Sequence, residues 1–146
     1  ATLPEVSGTC LIETMIFILT FTSYPYFTPR WLEMTIRWTS EIQVYVMENF
    51  RSSVTCDACA QKLFLTKSII NRLLSEKYGP DITFHKYVNR IRLQFATGLL
   101  ASSDLPICDV AMESGFNSVH TFIRLFKLEC GETPAQYRER KKRDYA

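Results

Sequence analysis

The stretch LPICDVAMESGFNSVHTFIRLFKLECGETPAQY, residues 105–137, decides the fold. Pro106 suits the opening of a helix: the first turn leaves its N–H positions unpaired, so a missing one is no loss. Ile107 to Ser114 then makes a short helix that Gly115 ends. Ser118 is an N-cap residue, whose hydroxyl accepts an amide of the turn that follows. Phe122, Leu125 and Phe126 recur at the spacing of a buried helix face, up to Gly131. Thr133-Pro134 is a capped start with proline at the first helical position, leading through Tyr137 into a basic tail. Ala111 is small and lies midway along the first helix, which lets the second cross it closely. Short helix, tight turn and longer helix together read as a helix-turn-helix.

The same layout occurs earlier in the chain. Thr55 caps a helix ending near Phe64, with Asp57 in its first turn and Ala60 midway. Thr66 caps the next, whose inward side is Ile70, Leu73, Leu74 and Tyr78, closed by Gly79. Between the two lies a longer helix, about 84–101, with Phe84, Tyr87, Val88, Ile91, Phe95 and Leu99 inward, and Ile42, Tyr45, Val46 and Phe50 form a further stripe ahead of both. The expected fold is all-α: about seven helices, two helix-turn-helix subdomains (about 55–79 and 106–131) joined by a linker helix. These occupy a domain 41–146, preceded by an apolar helical segment within 1–40. By pattern alone, two helical hairpins with solvated faces fit equally well.

Composition narrows the alternatives. The 146 residues are 47% apolar and 22% charged, which excludes disordered, collagen-like and low-complexity chains. Five Gly and six Pro argue against a loop-rich or all-β chain, and five Cys, an odd number, against a disulfide scaffold, so a reducing cytosol is expected. The longest apolar run, Leu11–Phe21, contains Glu13 and is too short to span a bilayer. No basic stretch precedes it, so neither a signal peptide nor a membrane partner is expected. Residues 1–40 carry two arginines against three glutamates, whereas 41–146 carry 15 basic and 12 acidic side chains. The basic groups cluster around Lys62–Arg72, Lys86–Arg92, Arg124–Lys127 and Arg138–Arg143. An excess this mild does not establish a nucleic-acid partner by its sum; its arrangement on helix faces matters more.

No catalytic constellation is visible. Cys56 and Cys59 form a Cys-x-x-Cys pair, but inside a helix and without a second pair at zinc-site spacing. They are read as core, and Cys10, Cys108 and Cys130 as small apolar fillers. His85 and His120 have no carboxylate partner in a local motif, and no nucleophile elbow, phosphate loop or metal helix is present. The chain is therefore expected to be no enzyme and to use no cofactor or metal.

The segments Pro106–Ser118, Phe122–Lys127 and Gly131–Arg138 resemble the signature of the AraC/XylS family of bacterial transcription regulators, and Arg92-Leu93, Ala96 and Leu99-Leu100 match the linker helix ahead of it. The resemblance covers about Ile42 to Arg140. In the first module the chain departs from the pattern: Phe64 stands where a Gly or polar residue is common, Leu74-Ser75 replaces the usual pair, and Gly79–Thr83 is about two residues longer. The resemblance implies two helix-turn-helix units in a cytoplasmic, nucleoid-associated protein whose partners are double-stranded DNA and RNA polymerase. Geometry agrees, since a helix over 84–100 is about 25 Å long at ~1.5 Å per residue. Two recognition helices about one B-DNA turn apart, ~34 Å, can enter successive major grooves.

On this resemblance the base-contact candidates are Lys67, Ser68, Asn71 and Arg72 in the first module, and Val119, His120, Thr121 and Arg124 in the second. Arg72 and Arg124 sit at matching places, and arginine reads guanine with a two-pronged contact. Asn71 either reads adenine or faces solvent; Val119 and Ile123 either touch thymine methyls or lean on the domain itself. Thr66, Arg92, Ser118, Lys127 and Arg138 are the candidates for the DNA backbone. Residues 11–21 would form a helix apolar nearly all round, which must be buried somewhere. Leu11, Met15, Ile16 and Leu19 are candidates for a homodimer contact, as the end of a sensing and dimerising segment; the alternative is a helix folded back near Trp31 and Trp38. The rival function is an interaction protein of weak DNA affinity that binds another regulator through residues 11–21.

Overall fold

The computed structural model describes residues 30–146, which form seven helices and no strand. The apolar segment with Leu11, Met15, Ile16 and Leu19 lies outside the described residues. The helices are α1 (Arg30–Asn49), α2 (Cys56–Leu63), α3 (Lys67–Tyr78), α4 (Phe84–Ser102), α5 (Ile107–Glu113), α6 (Val119–Cys130) and α7 (Pro134–Asp144). The hydroxyls of Thr55, Thr66 and Ser118 accept the amides of Ala58, Ile69 and Thr121, so α2, α3 and α6 start where their caps place them. Thr133 and Gln136 complete a reciprocal capping box on α7, with Pro134 at its first position. Each cap is worth ~1 kcal/mol. α5 follows Pro106 with no side-chain cap.

α1 starts well ahead of the Ile42 stripe and takes in Trp31 and Trp38. It buries Leu32, Thr39, Ile42 and Val46 at helical spacing, and Phe50, just past its end, is buried too. Thr39 is tolerated there because its hydroxyl donates to the Thr35 carbonyl at 2.7 Å.

The chain divides into two units. Among the described residues, the first holds 30–45 and Thr55–Tyr87. Its buried side chains include Leu32, Thr39, Ile42, Cys59, Ala60, Ile70, Leu73, Leu74, Phe84 and Tyr87. Tyr78 stacks on Tyr87 at 5.1 Å between centroids and accepts a hydrogen bond from Gln43.

The second unit holds Val46–Val54 and Val88–Ala146. Leu93, Ala96, Leu100, Val110, Ala111, Phe116, Phe122 and Phe126 form its core. A chain of ring contacts at 5.3–5.6 Å runs Phe116–Phe122–Phe126–Tyr137. Here the expected single inward stripe of the linker helix is corrected. Phe84, Tyr87 and Val88 are buried as expected, but Ile91, Phe95 and Leu99 are only half-buried, while Leu93, Ala96 and Leu100 are buried. α4 contributes to two cores in turn, and a different face fills the second.

One local arrangement shapes the second unit. The segment after α1 runs under the turn between α5 and α6. Arg92 donates Nε to the Phe50 carbonyl at 2.7 Å and Nη2 to the Ser52 carbonyl at 2.9 Å, with its guanidinium 5.9 Å from the Phe116 ring centre. Phe50 packs edge-on against Phe95. Arg51 donates to the Glu113 carbonyl at 2.9 Å and pairs with its carboxylate. Gly115, at φ +89°, faces this strand of chain so closely that a Cβ would stand 2.5 Å from the Phe50 oxygen and 2.9 Å from the Arg51 Cα.

Candidate nucleic-acid interface

The two turns are built alike. In the first, Phe64 takes the left-handed conformation (φ +55°) and Leu65 donates its N–H to the Ala60 carbonyl at 3.0 Å. In the second, Gly115 is left-handed and Phe116 donates to the Ala111 carbonyl at 3.0 Å. Ala60 and Ala111 are both buried, as the helix crossing requires. The difference is chemical: a phenylalanine in the left-handed region costs ~1–2 kcal/mol, and glycine avoids that. Phe64 is also 94% exposed, so packing returns little of that cost.

Matched turns put the recognition helices α3 and α6 in register. Their first residues are Lys67 and Val119, their second Ser68 and His120, their fifth Asn71 and Ile123, and their sixth Arg72 and Arg124. In α6, His120, Arg124 and Lys127 are exposed and share one face by helical spacing. Among the described residues, neither Arg124 nor Lys127 makes an ion pair. Thr121 is half-buried, its amide given to the Ser118 cap. Val119 and Ile123 pack against the second core. Val119 is half-buried, so part of its apolar surface leans on its own unit and part stays open.

The cations of α3 have partners of their own. Lys67 Nζ stands 2.7 Å from Asp57 Oδ1, and this hydrogen bond raises its pKa. Arg72 Nε meets Glu76 Oε1 at 3.0 Å, one turn along. Both pairs are exposed, so each is worth little and can exchange for a phosphate. Ser68 is exposed. Asn71 is half-buried, and its Oδ1 accepts the Phe84 N–H at 2.8 Å. Stranding a buried donor costs about 1–3 kcal/mol, which tethers Asn71.

The backbone candidates separate as well. Thr66 and Ser118 cap their helices, placing the free amides of each first turn beside a hydroxyl. Arg92 is half-buried, with its pKa lowered by burial, and donates to two main-chain carbonyls. Arg138 on α7 is half-buried, and its Nε and Nη2 find no acceptor among the described residues. Next to it, Lys142 pairs with Asp104 at 2.8 Å, and Arg140 with Glu132 at 2.7 Å.

Among the cysteines only Cys59 is core: Cys56 is half-buried, Cys108 and Cys130 are exposed, which corrects their reading as fillers, and Cys10 lies outside the described residues. Cys59 is fully buried, and burial together with Cys56 pushes its thiol up to about 11, far from the thiolate that redox or metal chemistry uses. No group of side chains suited to a metal ion occurs among the described residues, and none of their helices is long and apolar enough to cross a membrane.

Comparison with known proteins agrees with this geometry. The profile of a helix-turn-helix domain family matches residues 59–140, more than half of the chain and nearly all of both modules. The chain is 33% identical over 97 residues to an uncharacterised helix-turn-helix transcriptional regulator, YijO, of Escherichia coli K12, covering 66% of this chain and 34% of that protein. It is 32% identical over 95 residues to the transcriptional activator RhaS of Escherichia coli, covering 65% and 34%. The chain belongs to the AraC family of transcription regulators.

It spans about a third of the length of these relatives. Among solved structures, the C-terminal domain of the two-component response regulator yesN from Fusobacterium nucleatum is 30% identical with a TM-score of 0.60, over 66% of this chain and 93% of that one. The DNA-binding domain of AdpA in complex with a target DNA shares the fold, with a TM-score of 0.65 at 20% identity over 73% and 94%. The AraC-type pattern of two helix-turn-helix units with a linking helix is thus the all-α fold of this chain.

Proposed function

We propose that this chain binds double-stranded DNA sequence-specifically and regulates transcription, and that it carries out no catalysis. The observation that carries this reading is the outward face of α6, where His120, Arg124 and Lys127 stand together behind a capped, tightly turned start, with no carboxylate partner for either cation among the described residues. Arg124 is the base reader of that face, with His120 and Thr121 beside it. In the first module Ser68 and Arg72 occupy the corresponding positions, and Lys67 exchanges Asp57 for phosphate. Lys127, Arg138 and the first amides behind Thr66 and Ser118 hold the DNA backbone, because cationic side chains and free helix amides both suit a phosphate.

By likeness to RhaS, whose name marks it as an activator, the regulation is activation, exerted through RNA polymerase at a promoter. Residues 11–21 pair two copies through Leu11, Met15, Ile16 and Leu19, since so apolar a stretch seeks burial. Sedimentation should give a dimer that Ile16→Asp or Leu19→Asp converts to monomer. An unchanged mass in both variants would remove this contact.

Binding-site selection from a random duplex library tests the main reading. Wild type should enrich a two-part element. Arg124→Ala should cost ~1–3 kcal/mol and relax preference at one or two base pairs. Lys127→Ala should weaken all sequences alike and make the salt slope shallower by roughly 1. Neither side chain is in the core, so both variants should melt like wild type. If Lys127→Ala altered base preference while Arg124→Ala did not, the assignment of roles on α6 would be reversed.

A further inference from the structure

The register between the recognition helices separates outward from inward positions. The fifth residue is Ile123 in α6, which packs against the core of its own unit. In α3 it is Asn71, half-buried, whose Oδ1 accepts the Phe84 N–H at 2.8 Å. Phe84 is the first residue of α4, and its N–H is one of the four that a helix start cannot pair within itself. A second such amide, that of Lys86, goes to the Thr83 hydroxyl at 3.4 Å. Asn71 thus supplies from a neighbouring helix what a cap residue supplies locally.

We infer that Asn71 is a positioning residue of the first module, tying α3 to the start of α4, and that base reading in that module falls to Ser68 and Arg72 alone. The inference rests on the DNA-binding reading above and refines what its first half contributes. Asparagine discriminates adenine by offering Oδ1 and Nδ2 together to the base edge. Here Oδ1 is committed to Phe84, and a swing outward would leave that N–H without its acceptor. Ser68 is short and can serve as donor or acceptor, so it discriminates weakly. Arg72 is exposed and reaches further, once it releases Glu76. The first half-element should therefore be read at few base pairs, with the larger share of sequence information on the side read by α6.

Footprinting, binding-site selection and thermal melting on the whole chain test this, using wild type, Asn71→Ala and Asn71→Asp. Asn71→Ala should melt a few degrees lower, lose protection over one half-element while keeping the other, and select the same bases where it still binds. Asn71→Asp retains an acceptor for Phe84. It should restore the melting temperature and the two-part footprint with base preference unchanged, even if its charge weakens all sequences uniformly. Loss of both half-elements together in Asn71→Ala would mean general destabilisation and would overturn the positioning role. So would an Asn71→Ala protein that melts like wild type yet selects a different base. Wild type that retains no duplex at low salt would overturn the DNA-binding reading, and with it the division of base reading. The melting series would still decide whether Asn71 holds α4.

Discussion

Replacing Gly115 by alanine should destabilise the chain by about 3 kcal/mol or more. Two effects add. The residue sits at φ +89°, where an L side chain is strained, and the new Cβ would lie 2.5 Å from the Phe50 oxygen and 2.9 Å from the Arg51 Cα. Both neighbours are main chain, so neither can rotate aside. They are also held in place, by Arg92 on the Phe50 and Ser52 carbonyls and by Arg51 on Glu113. Urea unfolding checks it, with Gly98→Ala as the control. Gly98 lies inside α4 with open space where its Cβ would go, so there alanine should stabilise by ~0.5–1 kcal/mol. If Gly115→Ala unfolded within about 1 kcal/mol of wild type, the close packing of the 50–52 segment under this turn would be disproved. Because α6 starts just beyond Gly115, the same variant should also lose its specific DNA site.

Raising monovalent salt from about 50 to about 200 mM should weaken duplex binding by roughly a thousandfold, as expected for about six phosphate contacts, each giving log K a slope of about −0.9 against log salt. The contacts are to come from Lys67, Lys127, Arg138 and the basic last turn of α7, Lys141, Lys142 and Arg143. Arg92 adds nothing to the slope, since its guanidinium already serves two carbonyls. Arg92→Ala should therefore lower the melting temperature and leave the salt slope of the remaining folded protein unchanged. An affinity that stayed flat over this range would contradict backbone docking altogether.

Much of this architecture is local, and local features are written in short stretches of chain. Thr55, Thr66, Ser118 and Thr133 cap their helices because a hydroxyl two or three residues before an apolar period has little else to do. Phe122 and Phe126 are buried because their spacing leaves one face for them. Partners distant in sequence are another matter. Nothing about Arg92, a cation in a linker helix, indicates whether it will meet a phosphate or the carbonyls of Phe50 and Ser52, some forty residues earlier. Asn71 likewise shows its hydrogen-bonding capacity in the sequence, but the choice between a base edge and the Phe84 amide depends on where α4 begins. Val119 is ambiguous in the sequence for a related reason: one apolar side chain at the first position of a helix fits either face. The double stripe of α4 is not legible as one periodicity, because the helix serves two cores.

The second unit is assembled from two pieces of chain, Val46–Val54 and Val88–Ala146, with Thr55–Tyr87 belonging to the other. During synthesis, Phe50 and Arg51 leave the ribosome long before Phe95, Arg92 and Gly115 exist to receive them. That unit must therefore close across an intervening module, a step whose entropic penalty grows only slowly with the length spanned but which delays completion until late in translation. For the same reason it cannot be excised as one contiguous fragment. A piece beginning at Val88 would keep α6 and its arginine, yet it would lack the carbonyls that satisfy Arg92 and the ring that covers Phe95. The reading head for DNA thus depends on a stretch of polypeptide laid down before the first recognition helix is made.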